Sequence, residues 1–377
     1  MKNIYLLNKI SKIGLNVLPK ENYQITEDLN NADAILLRSA SMHEMELPKN
    51  VLAIARAGAG VNNIPYEKLA ETGVLVFNTP GANANAVAEL TLAGMLLATR
   101  DIYGGITWVK NNKTDADISK TTEKAKSQFG GTEILNKTIG IIGLGAIGLR
   151  LANICAGVGM KVLGTKRDLS TLANEKLHEN IKLVKTKEEI FREADFISLN
   201  IPLNDHTKNT INEEVLRTLK DDVIILNFAR AGLVDEEALS NSFKVRKYVT
   251  DFPTPYNANN DKFLVIPHLG ASTEEAEDNC AYMAASQVKD YLENGNILNS
   301  VNYPDLSYGK VKNFRVTVMY NPSTNVKTEI IKNLNAADYK FKENKNFGYL
   351  IIDLNEKPDL SSINDLTGII KIRELNL

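Results

Sequence analysis

The sequence predicts an α/β protein built from two doubly wound parallel-sheet lobes and a small C-terminal βαββαβ domain. Three observations lead there. Short apolar runs alternate with helical patterns from residue 1 onward, as in a parallel sheet with crossover helices. A second series of the same kind starts near residue 137. The last sixty-odd residues change style and read strand, helix, two strands, helix, strand. At 377 residues, 44% hydrophobic and 24% charged, the chain has the length and ordinary composition that such an arrangement needs.

In the first series "KNIYLLN", "ADAILLRSA", "LAIARAGAG" and "GVLVFNT" read as buried strands. A long helix follows, with apolar residues at helical spacing from about Val87 to Ile102, stopped by Gly104 and Gly105. The polar stretch 111–126 has no apolar face and reads as a surface connection between lobes. The second series offers six strands: "KTIGIIGLG", "MKVLGT", "ADFISLNIP", "DDVIILNFA", "KYVTDF" and "FLVIPH". The helix "STEEAEDNCAYMAASQVKDYLENG" ends at Gly295, and "NILNSVNYPDLSYGK" reads as a linker. In the tail, "FRVTVMY", "ADYKFKE", "GYLIIDL" and "GIIKIREL" are strands, while "NVKTEIIKNL" and "LSSINDL" are helices, an open ferredoxin-like sandwich. The expected boundaries are 1–99, completed by 278–308, for the first lobe, 100–277 for the second and 309–377 for the tail.

A net charge of −2 provides no field toward nucleic acid or an anionic membrane, so an anionic ligand must be held by a few local cations. No apolar run approaches the ~18 residues of a membrane span. The start, "MKNIYLLNKISKIG", is broken by lysines and lacks a cleavage pattern, so no signal peptide is expected. Cys155 and Cys280 give neither a disulfide framework nor a metal spacing and read as buried small hydrophobes. A cytoplasmic protein without a metal fits these features.

Gly143, Gly145 and Gly148 form G-x-G-x-x-G between a strand, "TIGII", and a helix, "IGLRLANICAGVG". The first allows a tight turn, the second lets a pyrophosphate approach the backbone, and the third lets helix and strand pack. The second lobe is therefore expected to be a Rossmann-type dinucleotide binder, with phosphates at the helix start. The ribose-binding acid of such lobes ends the second strand, ~20 residues on. Here that end reads Thr165-Lys166-Arg167-Asp168. Lys166 and Arg167 suit the 2′-phosphate of NADP(H). Asp168 bending back to the ribose would suit NAD(H). The sequence supports both equally.

Hydride transfer needs a proton acceptor that titrates near neutrality. Of four histidines, His43 and His206 sit in polar turns and His178 in a charged, surface-like helix. His268 follows the strand "FLVIP" and precedes Gly270, the position where an α/β sheet places its active crevice. Arg230 follows "VIILNFA" in the same way and can present its planar fork to a carboxylate. Arg38 and Arg56 end two first-lobe strands. The turn Gly58-Ala59-Gly60 after Arg56 could cradle a small anion. Two such arginines suggest a doubly anionic substrate.

"RAGAGVNNIP", "FNTPGANANAVAEL", "KSQFGG", "GIIGLGAIG", "NFARAGLVDEEAL", "DFP" and "PHLGAST" occur in an order that resembles the D-isomer-specific 2-hydroxyacid dehydrogenases over nearly the whole chain. The closest likeness is to the branch acting on 3-phosphoglycerate, whose exit into an ACT-type domain "NSVNYP" and the tail resemble. The resemblance implies oxidation of 3-phosphoglycerate to 3-phosphohydroxypyruvate, the entry to serine, in a homodimer or homotetramer. It implies His268 as acid/base at the C2 hydroxyl and Arg230 on the carboxylate and C2 oxygen. It puts Arg38, Arg56, Gly58, Ala59, Gly60, Gly81, Ala82 and Asn83 on the substrate. It puts Gly143, Gly145, Ala146, Ile147, Gly148, Thr165, Lys166, Arg167, Asn200, Pro202, Phe228, Ala229, Asp251 and Gly270 on the cofactor, with Asp251 at the nicotinamide carboxamide.

Three departures stand out. The basic pair replaces the family's usual acid. The glutamate that orients the histidine is missing after "DFP", where Pro255 and Tyr256 stand; Asp261, Glu274 and Glu275 are the available substitutes. The turn "YNPSTNV" lacks the glycine of an ACT effector site, which leaves subunit pairing as the tail's expected role. Two other readings remain open: an NADPH-linked glyoxylate or hydroxypyruvate reductase, and a dinucleotide-sensing protein without turnover.

Overall fold

The computed structural model describes residues 1–377 except Asn174. The first five strands are β1 (Lys2–Leu6), β2 (Tyr23–Thr26), β3 (Ala34–Leu37), β4 (Ala53–Arg56) and β5 (Leu75–Phe77). They form a parallel sheet in the order β2-β1-β3-β4-β5, a doubly wound arrangement. Residues of β3 and β5 are buried throughout, as expected of parallel strands covered on both faces. The edge strand β2 was not expected; "YQIT" is short and half exposed, with no apolar run to announce it.

Seven strands follow: β6 (Thr138–Ile142), β7 (Lys161–Thr165), β8 (Ile181–Leu183), β9 (Phe196–Leu199), β10 (Val223–Asn227), β11 (Val245–Thr250) and β12 (Phe263–Val265). All pair in parallel, in the order β12-β11-β10-β9-β6-β7-β8. The direction of winding reverses between β6 and β9, the switch point where such sheets bind ligands. The six expected strands are present. The seventh, β8, is an exposed three-residue edge.

The tail consists of β13 (Phe314–Tyr320), β14 (Asp338–Glu343), β15 (Gly348–Leu354) and β16 (Ile369–Asn376), antiparallel in the order β14-β15-β13-β16. One helix, Val326–Asn333, covers one face through Val326 and Ile330. The other expected helix, "LSSINDL", is only a 3₁₀ turn at Leu360–Ser362. Its Ser, Asn and Asp side chains compete with the backbone and favour a turn.

Three further expectations need correcting. The long helix ends at Thr99, and a separate one, Ile102–Asn111, runs through both glycines, because Asp101 Oδ1 accepts the Gly104 N–H at 2.9 Å and caps it. The polar 111–126 stretch contains the helix Ile118–Ala125, which buries nothing and rests on good helix formers and a Lys120–Asp117 pair at 2.9 Å. Among the described residues around His178 no helix forms, and its Nδ1 instead accepts the Asn180 N–H at 3.1 Å.

The chain divides into two compact units, Met1–Asn83 with Glu274–Leu377, and Ala84–Thr273. In the first, the helix Glu274–Asn294 packs on the five-stranded sheet, and Met319, Tyr349 and Ile351 of the tail join the same core. Arg315 is fully buried there. Its Nε and Nη2 donate to Asp353 at 2.5 and 2.8 Å, and Nη1 donates to the Asn294 and Gly309 carbonyls at 2.8 Å each. Breaking the Arg315–Asp353 pair would cost about 3–5 kcal/mol, and the bond to the Asn294 carbonyl links the tail to the helix end. The expected linker has no helix or strand but is anchored: Asn302 Nδ2 donates to the Val74 carbonyl at 2.9 Å and Tyr303 Oη to that of Ala70 at 2.8 Å. In the second unit the helix Ala84–Thr99 packs against the helix Ala146–Gly157 and strands β10 and β11. Cys155 and Cys280 are buried and unpaired, as expected.

Candidate active site

The second unit's expected residues all follow the carboxyl ends of parallel strands, so they share one end of the sheet. Gly143–Gly148 follow β6, Lys166 and Arg167 follow β7, Asn200 and Pro202 follow β9, Phe228–Arg230 follow β10, Asp251 follows β11 and His268 follows β12. Gly143 has φ +101°, a conformation that a side chain disfavours, and its N–H donates to the Thr165 carbonyl at 3.0 Å. A Cβ on Gly148 would lie 2.0 Å from the Gly143 carbonyl oxygen, so only glycine lets this helix start pass so close to the strand end. A Cβ on Gly145 would meet nothing within 4 Å, leaving its surface open to a ligand. Gly145 is also the helix N-cap and supplies no capping side chain, and the first turn carries no acid. These N–H groups are thus left to an anion. Ala146 is exposed beside them and Ile147 half buried.

At the end of β7, Thr165 is buried, Lys166 half buried and Arg167 exposed. Asp168 Oδ1 accepts the Ser170 N–H at 3.0 Å and its Oγ–H at 2.6 Å, capping the 3₁₀ turn Leu169–Leu172. Those bonds hold its carboxyl below the ordinary carboxylate range, with a smaller contribution from Lys166. Asn200 Nδ2 donates to Ser198 Oγ at 3.0 Å, and the Pro202 carbonyl accepts from Thr207 Oγ1 at 2.6 Å.

Arg230 is exposed, and its Nη1 donates to the Ala229 carbonyl at 2.6 Å. Asn227 braces the turn from behind, donating to the Arg230 carbonyl and to Tyr248 Oη, both at 3.0 Å. Burial pushes the Tyr248 phenol up to about 12, so it remains neutral in this network. The buried Phe228 packs near Gly94. Asp251 is buried. Its Oδ2 accepts the Gly270 N–H at 3.2 Å, while Oδ1 has no partner among the described residues. Burial raises its carboxyl above the ordinary range, and the charges of His268 and Arg230 and the Gly270 N–H oppose that rise. Asp251 thus feels the charge of both His268 and Arg230. The exposed His268 ring lies 5.0 Å from that of Phe252, edge-on at 64°. After "DFP", Thr254 and Asn257 cap a short helix, Pro255–Ala258, and leave Tyr256 47% exposed. Of the expected substitutes, Asp261 is exposed, and Glu274 and Glu275 belong to the other unit.

The first unit holds Arg38, Arg56 and the Gly58–Gly60 turn together. Arg56 Nε donates to the Arg38 carbonyl at 2.9 Å and Nη1 to the Gly60 carbonyl. The Gly58 N–H donates to Thr79 Oγ1 at 2.8 Å and Asn78 Nδ2 to the Ala59 carbonyl at 2.6 Å. Arg38 Nη1 donates to Glu277 at 2.6 Å. Gly81 has φ +83°, Ala82 packs on the core, and Asn83 Oδ1 is buried without a partner among the described residues. Glu277, Asn227 and Thr79 were not foreseen. The Arg38–Glu277 pair spans 239 residues of sequence, and no local signal marks it.

An open glycine turn at the switch point of a seven-stranded parallel sheet defines a dinucleotide-binding α/β protein. Residues 92–270 match the family "D-isomer specific 2-hydroxyacid dehydrogenase, NAD binding domain". The D-3-phosphoglycerate dehydrogenase of Methanocaldococcus jannaschii is 32% identical over 325 residues, 82% of this chain and 59% of that protein. The hydroxypyruvate reductase of Thermotoga maritima is 35% identical over 272 residues, 68% of this chain and 84% of that protein. The NAD⁺-bound 3-phosphoglycerate dehydrogenase of Entamoeba histolytica superposes with a TM-score of 0.63 at 28% identity, covering 81% of this chain and 99% of that one. The chain belongs to the D-isomer-specific 2-hydroxyacid dehydrogenase family. It spans little more than half the length of the Methanocaldococcus relative.

Proposed function

We propose that the chain is an NAD(P)-dependent D-3-phosphoglycerate dehydrogenase that interconverts 3-phosphoglycerate and 3-phosphohydroxypyruvate at the entry to serine synthesis. The observation that carries this reading is the grouping of Asp251, His268 and Arg230 at the sheet end that bears the open glycine turn. The open surface at Gly145 and the unpartnered Asp251 Oδ1 fit a pyrophosphate and a nicotinamide carboxamide respectively. The glycine turn and Asp251 would hold the dinucleotide, which when bound would supply the hydride acceptor for C2. His268 takes the proton of the C2 hydroxyl and returns it in the reverse direction. The Arg230 fork holds the carboxylate and polarises the C2 oxygen. Arg38, the Gly58–Gly60 turn and the Gly81–Asn83 loop hold the phosphate-bearing end, with Arg56 keeping that turn in shape. A single carboxylate of glyoxylate or hydroxypyruvate would leave these first-unit groups without their anion.

The family match supports NAD(H), and Asp168 spends only Oδ1 on its own turn; Lys166 and Arg167 beside the same strand end suit NADP(H) as the second reading. We take 1–99 with 278–308 as the substrate-binding lobe, 100–277 as the nucleotide lobe and 309–377 as an ACT-like domain of a cytoplasmic homodimer or homotetramer. The strand order of the tail and its fully exposed edge strand β14 support the last assignment. Among the described residues no helix is long and apolar enough to cross a membrane.

The test is steady-state reduction of 3-phosphohydroxypyruvate with NADH and NADPH side by side. Turnover is expected with at least one of them, and His268→Asn should lower kcat about 10²–10⁴-fold while cofactor binding is kept. Binding of either cofactor without turnover would leave the sensing protein instead.

A further inference from the structure

A cavity of about 630 Å³ opens in the first unit where the 43–49 loop, the helix Tyr66–Glu71 and strand β16 of the tail come together. Its charged lining is one-sided. Lys49, Lys68, Lys371 and His43 face Glu46. None of the ion pairs among the described residues involves any of the three lysines. Leu69 and Val74, both buried, supply an apolar wall.

We propose that this cavity is a binding site for a small organic anion, a molecule with one phosphate or carboxylate group on an apolar body. The volume lies in the range of metabolite pockets. Lys371 carries the argument. It lies against Gly73, where a Cβ would come within 2.8 Å of its own, so its stem is packed rather than waving in water. Burial, and then the charge of Arg373, lower its pKa. Arg373, two residues along the same face of β16, has found partners in the Tyr291 and Leu292 carbonyls at 3.2 and 3.3 Å. Lys371 has none. An amine drawn out of water without a counter-charge is costly, and an anion in the cavity removes that cost.

The site is also wired to the substrate face. His43 Nε2 lies 2.9 Å from the Asn62 carbonyl. The next residue, Asn63, donates from Nδ2 to the carbonyls of Ala40 and Arg38 at 2.7 and 3.3 Å, and Arg56 donates to that same Arg38 carbonyl. An occupant touching His43 therefore bears on the segment that sets Arg38 and Arg56. This inference does not depend on the reaction assigned above.

Calorimetric titration of the full chain with phenyl phosphate and, separately, benzoate tests it; the tighter binder identifies the anionic group. At low salt at least one should bind saturably. Lys371→Met and Lys68→Gln should each weaken that binding about tenfold or more. Turnover of 3-phosphohydroxypyruvate by these variants should stay within about twofold of wild type, and Arg230→Gln should retain probe binding. Lys68 is exposed on its helix, so its variant carries the test if Lys371→Met fails to fold. Absence of binding by both probes, binding that survives Lys68→Gln, or binding lost in Arg230→Gln would overturn the proposal.

Discussion

The two units treat their strand-end arginines in opposite ways. Arg230 stands exposed on a turn braced from behind by Asn227, and one guanidinium nitrogen rests on its own neighbour's carbonyl. Arg56 is drawn into the protein, bonded to the Arg38 and Gly60 carbonyls, and Arg38 is held by Glu277. The same residue type at the same kind of position thus does different work. Arg230 is left exposed at its turn. Arg56 is spent on holding the 58–60 turn, whose Gly58 N–H is itself engaged by Thr79 Oγ1.

Substitution separates the two roles. Arg230→Lys keeps the charge but loses the fork, and kcat/KM should fall roughly 10- to 100-fold, the worth of a charge-assisted hydrogen bond, with Tm unchanged. Arg56→Met should lower Tm as well as raise KM, because it removes the guanidinium donor from the Gly60 carbonyl, at about 1–3 kcal/mol, and leaves the Arg38 carbonyl only the longer bond from Asn63. Equal behaviour of the two variants, in kinetics and in melting, would erase the distinction.

Asp251 sharpens the same contrast within the second unit. Its carboxyl lies above its ordinary value near 3.8, so the stability favoured by the protonated form is present below that value and is lost as pH rises through the folded-state pKa. Asp251→Asn should therefore gain thermal stability relative to wild type as pH is raised from about 4 to 7. A variant that loses stability relative to wild type over that range would contradict the assignment. The smallest effect is expected at the half-exposed Arg38–Glu277 pair. Glu277→Gln should change stability by less than about 1 kcal/mol and lower KM for 3-phosphohydroxypyruvate a few-fold by freeing Arg38. A raised KM would mean that Glu277 serves to aim Arg38 rather than to compete for it.

Much of this was legible in the chain itself, for reasons that can be named. Buried parallel strands carry apolar runs such as "VIIL", and G-x-G-x-x-G reports a steric demand that Gly143 and Gly148 meet locally. Edge strands β2 and β8 bury little and leave little trace. The helix through Gly104 and Gly105 was hidden because its capping acid, Asp101, outweighs two poor helix formers. "LSSINDL" has helical spacing but turn-forming residues, and the residues won. At the site, strand-end positions pointed to Arg230 and His268, while Asp251 came only from the family resemblance. Their supports, Asn227, Glu277 and Thr79, depend on contacts between distant segments, which spacing does not encode.

The most direct measurement is the ratio of kcat/KM for 3-phosphohydroxypyruvate to that for hydroxypyruvate under identical conditions. If Arg38, with the turn held by Arg56, receives a phosphate, the phosphorylated substrate should be favoured about a hundredfold or more. A ratio near one, or a preference for hydroxypyruvate, would contradict it.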